Sequence, residues 1–426
     1  MEPKTPSRKH LIIGLLGFLW FLGIILSYFA SHKPIDVTTA ASLGQTLWRL
    51  IVCSLLFALA GGTGTFILKR LNWQPDLHPL TKIALLSSLG LGTLGLLIFI
   101  TGALIGLPAW YVWLAILTLL GILLRKDILT WVRYFGTVRT LWRNSNPVGK
   151  AIGLLLLLLM VFTLTIALAP PVYFDSLVSH LVMPQAYLSE GRISYLPWLF
   201  MSGMPQIVEV LYLPLMSLAG AEAAALLCWM TSFISIVGLL GYLSKRFSTN
   251  AAWVSQAALL SGYSIIMLTT NAYVEWFSLL FGFCALLFMD LWRQNQDRIT
   301  IIFSGIFIGF TVGTKYTAGV LAVALTATLA WHCWQSKRKF IPALFSLALP
   351  ALIVFSPWLL KNLLTTANPV YPLIFPSGAM TPLRLEAYQN IPPWGNWQDI
   401  FILPFRATYM GFDKASGYGM DIGPLL

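Results

Sequence analysis

Residues 151–192, AIGLLLLLLMVFTLTIALAPPVYFDSLVSHLVMPQAYLSEGR, join an unbroken apolar run to a polar stretch carrying Asp175, His180, Glu190 and Arg192. The run is about 19 residues long, enough for a helix to cross a hydrocarbon core roughly 30 Å thick. A charged loop reached directly from such a helix lies where membrane meets water, and a carboxylate placed there is a candidate reaction centre. The rest of the chain repeats the pattern. Of 426 residues, 58% are hydrophobic and only 10% charged, and apolar runs of similar length recur throughout. The sequence therefore predicts an all-α polytopic membrane protein with about 11–12 transmembrane helices and short amphipathic helices in its first large external loop.

The formal net charge of +12 would suggest a nucleic-acid partner in a soluble domain, but the basic residues here sit in short loops between apolar runs. Lys4/Arg8/Lys9, Lys69/Arg70/Lys82, the stretch 125–150, Lys245/Arg246, Arg293/Arg298 and Lys337/Arg338/Lys339 mark the cytoplasmic side. The charge reports topology, and no nucleic acid is implied. Spans are then predicted at 11–30, 46–68, 83–101, 110–124, 151–169, one or more within 206–244, and at 251–270, 274–292, 299–312, 316–334 and 341–360. Alternation puts 31–44, 170–205, 271–273, 313–315 and 361–426 on the non-cytoplasmic face of the cell membrane. Segment 206–244 is long enough for two crossings, yet its flanking charges require an odd number. A first piece, 206–218, lying partly along the surface before a single crossing reconciles the two.

The organisation expected is an N-terminal membrane region of about four helices at 1–150, a membrane core at 151–372 that includes the external loop 170–205, and an extracytoplasmic tail at 373–426. The basic N-terminus runs into a full-length apolar segment without a small-residue cleavage site, so 11–30 reads as a retained span. The closing GMDIGPLL reads as the start of a further apolar segment, and the chain as a truncated form of a longer protein. Cys53, Cys228, Cys284 and Cys333 are single and widely spaced inside apolar runs, which suggests neither a disulfide framework nor a thiolate metal site.

Acidic residues number only fifteen, and an ionisable group near a helix centre costs roughly 2.5–3.5 kcal/mol on insertion scales, so their positions carry information. Asp175, Glu209 and Glu275 all map near non-cytoplasmic ends of spans, where they converge on one polar site. Asp175 is the candidate catalytic base; its bland alternative is an N-cap for a short helix. Glu275 is the second candidate acid, with a cap at the positive end of its helix as the alternative. His180, five residues after Asp175, falls roughly 140° away around an α-helix, which makes the two a poor same-face pair for one metal. It reads instead as a substrate contact. If a divalent metal is used, Asp175 and Glu275 are its candidate ligands.

Cations gather at the same level. In GTKYTAG (313–319), Lys315 interrupts an apolar hairpin, and Lys361 and Asn362 follow the run ending SPWLL, with Asn368 soon after. Lys315 either snorkels to the interface or neutralises an anionic head group. Together with His180, Arg192, Glu209, Tyr273 and Tyr316, these residues make up the candidate substrate contacts, and the cations among them suggest a phosphate-bearing lipid. No phosphate-binding P-loop, nucleophile elbow, H-E-x-x-H or dinucleotide fingerprint is present, which disfavours an ATP-driven pump, a serine hydrolase, a standard zinc protease and a nucleotide-sugar enzyme with a cytosolic Rossmann domain.

At FDSLVSHLVMPQAYLSEGRI (174–193), NAYVEW (271–276) and GTKYTAG followed by SPWLLKNLLTTANPVYP (356–372), the chain resembles the polytopic GT-C glycosyltransferases, in particular the protein O-mannosyltransferase and aminoarabinose-transferase-like branch of family 39. The resemblance covers roughly 151–372, and Glu275 stands where an aspartate is more usual. It implies a GT-C-like bundle, a polyprenyl-phosphate-linked sugar donor, an acceptor the motifs do not name, and transfer on the non-cytoplasmic face, within membrane lipids as partners. Asp175 would then take the acceptor proton, Lys315, Lys361 and Arg192 would face the lipid phosphate, and Trp198, Tyr187 or Tyr195 would stack on the sugar. A transporter or flippase for a lipid-linked or small anionic substrate is the alternative reading, and a non-catalytic assembly partner a third.

Overall fold

The computed structural model describes residues 37–73, 75–390 and 396–399, with shorter stretches inside 16–31 and 401–405. The expected span 11–30 and loop 31–44 fall partly, and GMDIGPLL wholly, outside the described residues. The chain divides into two units, Met1–Trp48 and Arg49–Leu426. The candidate site lies in the second.

Helices α1 (Val37–Arg70), α2 (Pro79–Leu104) and α3 (Trp110–Leu123) are followed by the short α4 (Arg125–Arg133) and α5 (Thr137–Asn144), then α6 (Pro147–Ala167). The loop after α6 contains α7 (Val182–Glu190). After it come α8 (Glu209–Ala219), α9 (Glu222–Arg246), α10 (Thr249–Leu259), α11 (Tyr263–Thr270) and α12 (Glu275–Asn295). The last four are α13 (Arg298–Val312), α14 (Gly319–Gln335), α15 (Phe340–Thr366) and α16 (Pro382–Gln389). No strand occurs among the described residues. Among the described residues seven helices, α1, α2, α6, α9, α12, α14 with the 3-10 turn before it, and α15, are long and apolar enough to cross a membrane, and α10 with α11 passes the same test as a bent pair. The apolar helices α3, α8 and α13 are shorter. The chain is a multi-pass, all-α membrane protein.

Local chemistry explains the boundaries. Pro147 opens α6 behind Asn146, whose side chain accepts from the Gly149 amide at 2.7 Å, a proline and cap arrangement suited to a helix start. Asp297 caps α13 by accepting from Ile299 N at 3.1 Å. The expected single span 251–270 is broken instead, with its halves bent by 83°. Ser261 bonds back to Ala258 O at 2.8 Å and Gly262 is extended, a Ser-Gly pair of the kind that interrupts helices. The basic stretch 125–150, expected as a loop, folds as the amphipathic α4 and α5. Lys69 pairs there with Asp127 at 2.7 Å, and Trp131 Nε1 donates to Ser87 Oγ at 3.1 Å.

Segment 206–244 resolves its parity conflict through Gly220, whose φ of +86° separates α8 from a single long span, α9. The first piece is not laid along an exposed face, however. Ile207 to Leu213 and Leu215 are fully buried in the protein. Apolar side chains all round the helix require enclosure on every side, and this is what brings Glu209 into the interior.

The core that carries the site is α13 packed between α12 and α15, with α2 against α9. Trp73, Phe288 and Phe303 stack with centroids 5.0–5.4 Å apart and fix α12 against α13.

Candidate active site

The loop after α6 enters the site through a π-turn, Ser176–His180, closed by the Leu181 amide on Ser176 O at 2.9 Å. Pro184 gives a physical reason. It lacks the N–H that would bond the His180 carbonyl, and its ring crowds that oxygen, so the preceding turn widens. Widening changes the geometry expected from sequence. Bonding over five residues brings residues five apart nearly one above the other, and Asp175 and His180 line the same cavity rather than diverging by about 140°. Asp175 also does not act as a cap: its backbone is helical (φ −64°, ψ −34°) and its side chain makes no cap hydrogen bond.

That cavity, about 340 Å³, is lined by Asp175, His180, Glu209, Glu275, Lys315 and Tyr316, with Met183, Met201 and Met204 as apolar wall. Its charged groups come from four segments far apart in sequence. The amide of Ile207 donates to Gly313 O at 3.0 Å, which holds the start of α8 against the turn that presents Lys315. Polar chemistry is paired inside it. His180 Nδ1 lies 2.7 Å from Glu209 Oε1, and Glu209 is only 3% exposed with Oε2 lacking a hydrogen-bond partner. Lys315 forms an ion pair with Glu275, whose Oε2 accepts from the Val274 amide at 3.1 Å at the start of α12. Asp175 is exposed, and no ion pair holds it among the described residues.

The electrostatics follow from this pairing. Burial alone would lower the His180 pKa, but the hydrogen bond and charge of Glu209, with Glu275 and Asp175 nearby, outweigh it and hold the ring above the ordinary histidine value. Tyr273, edge-on to His180 with ring centroids 5.7 Å apart, is pushed up to about 12 by burial and by Asp175 and Glu275, and stays a neutral phenol. A histidine with a raised folded pKa contributes stability that is complete below its ordinary value of 6.5 and is lost as pH rises through the raised value. Between about pH 6 and pH 9, the melting temperature of the wild type in detergent should therefore fall more than that of a His180→Gln/Glu209→Gln double variant, which keeps a hydrogen-bonding pair without charge. Parallel curves would show that the pair carries no net charge effect.

Other sequence-predicted residues lie elsewhere. Arg192 is exposed on the turn after α7, outside the cavity lining. Lys361 and Asn362 are buried and turned toward the loop before α8: Lys361 Nζ donates to Ser202 O, and Asn362 Nδ2 to Gly203 O at 2.7 Å. Asn368 donates to Leu373 O and Phe375 O at 2.9 and 3.1 Å. Tyr316 joins this network to the cavity through Tyr371 O at 3.2 Å. Tyr187 is a core residue that donates to Gln206 Oε1 at 2.9 Å, Tyr195 bonds the Ala379 amide at 2.7 Å, and Trp198 is exposed. None of these three aromatics lines the cavity. Among the described residues no group of three or more His, Cys, Asp or Glu side chains is arranged to hold a metal ion. Asp175 and Glu275 line one cavity with His180 and Glu209, but no three of these four are arranged around a common metal position.

Sequence reasoning missed Ser202 and Gly203, because they act through backbone carbonyls that no side-chain pattern reports. It also missed the methionine wall, for which MSGMP (201–205) was the available signal.

Residues 211–360 match the family model described as dolichyl-phosphate-mannose-protein mannosyltransferase. The match covers 150 of the 426 residues and supports a GT-C-like membrane glycosyltransferase. The matched segment runs from α8 to near the end of α15 and contains Glu275 and Lys315, while Asp175, His180 and Glu209 precede it. No curated protein and no solved structure matches the chain.

Proposed function

We propose that the GT-C-like core transfers a sugar from a polyprenyl-phosphate-linked donor to an acceptor hydroxyl on the non-cytoplasmic face of the cell membrane, with 151–372 as the catalytic region. The observation that carries this reading is the cavity in which an unpaired carboxylate, Asp175, shares the space with the Lys315 ammonium. The acceptor oxygen attacks the anomeric carbon, its proton passes to Asp175, and the bond from that carbon to the phosphate oxygen breaks. The negative charge left on the polyprenyl phosphate falls beside Lys315. Glu209 and Glu275 are engaged by His180 and Lys315, so no second free carboxylate stands ready as a nucleophile, and the transfer is a direct displacement with inversion. Lys361, Asn362 and Asn368 serve this site by fixing the loops around Ser202 and Tyr371. The basic loops at the far ends of the spans support the choice of face.

Mass spectrometry of lipids that co-purify with the folded protein tests the donor. A polyprenyl-phosphate-linked sugar, enriched over a mock preparation from the same membranes, is the expected result. Purified, folded protein that carries no such lipid and takes none up when it is supplied would overturn the donor assignment.

A further inference from the structure

A second cavity, about 630 Å³, opens between α12, α13, α14 and α15 and is lined by Arg298, Arg338 and Lys339 together with Gln296, Phe345 and Leu349. It lies at the other end of the bundle from Asp175. Helix α12 begins at Glu275, in the first cavity, and ends at Asn295, beside the second. Its 21 residues separate the two by about 30 Å, the thickness of a hydrocarbon core.

The lining has two characters. At one end are three cations without an acidic neighbour in the wall, and among the described residues none of the three has an ion-pair partner. The nearby Asp297 carboxylate is engaged in capping α13. Along the other side are Phe345 and Leu349, 66% and 54% exposed on a helix long and apolar enough to span the membrane. Trp331 and Trp334, exposed on the last turns of α14, put the basic end at the level where aromatic side chains meet lipid head groups. One further observation is independent of charge. Gln296 donates to Arg293 O at 3.1 Å and pairs with His332 Nε2 at 2.9 Å, but its buried Oε1 accepts no hydrogen bond.

We infer that this cavity is a binding site for an anionic glycerophospholipid of the cytoplasmic leaflet, its phosphate on Arg298, Arg338 and Lys339 and an acyl chain along Phe345 and Leu349. A soluble anion would satisfy the cations but leave the lipid-facing apolar wall unused. Phosphatidylglycerol brings a net negative charge to the three cations, whereas phosphatidylcholine is zwitterionic and its quaternary ammonium cannot pair with them. Three cations near an anionic head group are together worth roughly a hundredfold in affinity.

The test is native mass spectrometry of the full chain in detergent, titrated with phosphatidylglycerol or phosphatidylcholine of matched acyl chains, and separately with inorganic phosphate as competitor. Wild type should retain phosphatidylglycerol about tenfold or more over phosphatidylcholine, and phosphate should not displace it. Two variants should lose that preference: Arg298→Gln/Arg338→Gln/Lys339→Gln, and Ser346→Trp, which fills the groove without changing charge. Arg125→Gln/Lys126→Gln/Arg133→Gln removes equal charge elsewhere and should keep the preference. The site is overturned if Ser346→Trp retains phosphatidylglycerol like the wild type, if the remote triple variant loses it equally, or if phosphate displaces it. Should the first triple variant fail to fold, Ser346→Trp alone decides the matter.

Discussion

Replacing Asp175 by Asn abolishes sugar transfer while leaving the chain folded and able to bind donor lipid. The cavity contains three carboxylates in different electrical situations. Glu209 is nearly fully buried against His180, Glu275 is tied to Lys315, and Asp175 alone is exposed and free of an ion pair among the described residues. A base must be ionised and unengaged when the acceptor hydroxyl arrives, which is why Asp175 is the base proposed. Asparagine keeps the size and the hydrogen bonding but cannot take the proton, and the expected loss is about 10²–10⁴-fold in the rate of transfer. Because Asp175 caps no helix and is exposed, the substitution should leave thermal stability within about 0.5 kcal/mol of the wild type. Single-turnover transfer, measured alongside donor binding, separates the two effects. Near wild-type transfer by Asp175→Asn would falsify the base assignment, and a matched loss of donor binding and melting temperature would recast Asp175 as a structural residue.

How much of this arrangement could be read from the chain depends on distance along it. The helical membrane fold was legible because apolar runs act locally: each must be long enough to cross, and α2, α6, α9 and α12 are. The Gly220 break was legible only as a conflict between length and charge parity, and the burial of α8 was not legible at all, since enclosure depends on neighbours that sequence does not name. The π-turn escaped because angular arguments assume a helix of constant pitch, and Pro184 was the clue that the pitch would change. The pairings were beyond reach. His180 meets Glu209 across 29 residues and Lys315 meets Glu275 across 40, and such contacts are settled by how α8, α12 and the turn before α14 pack. Residue types at the membrane boundary named the participants, but only tertiary structure showed which acid was left unpaired.

That distinction decides the second large effect, the response of donor binding to Lys315. The ammonium already has a partner, so an arriving lipid phosphate must share or replace Glu275, and the free energy gained is a difference between two ion pairs. Both side chains are about a third exposed, 39% and 32%, so solvent moderates each pair. A hydrogen bond to a charged group is worth about 1.5–3 kcal/mol, which predicts a donor affinity about 10- to 100-fold weaker in Lys315→Ala. Part of that loss comes from Glu275, whose carboxylate is left facing the phosphate with no cation between them. Lys315→Arg keeps a cation and should stay within a fewfold of wild type, although the planar guanidinium fits a single carboxylate oxygen differently. Glu275→Gln/Lys315→Ala should bind donor more tightly than Lys315→Ala alone, because the repulsive charge has gone. Donor titrations of wild type, the two single variants Lys315→Ala and Glu275→Gln, and the double variant close a mutant cycle, and its coupling energy measures how far Glu275 opposes the phosphate. If all four proteins and Lys315→Arg bind the donor equally, Lys315 is an interface anchor, and the cation that meets the leaving phosphate must be sought elsewhere.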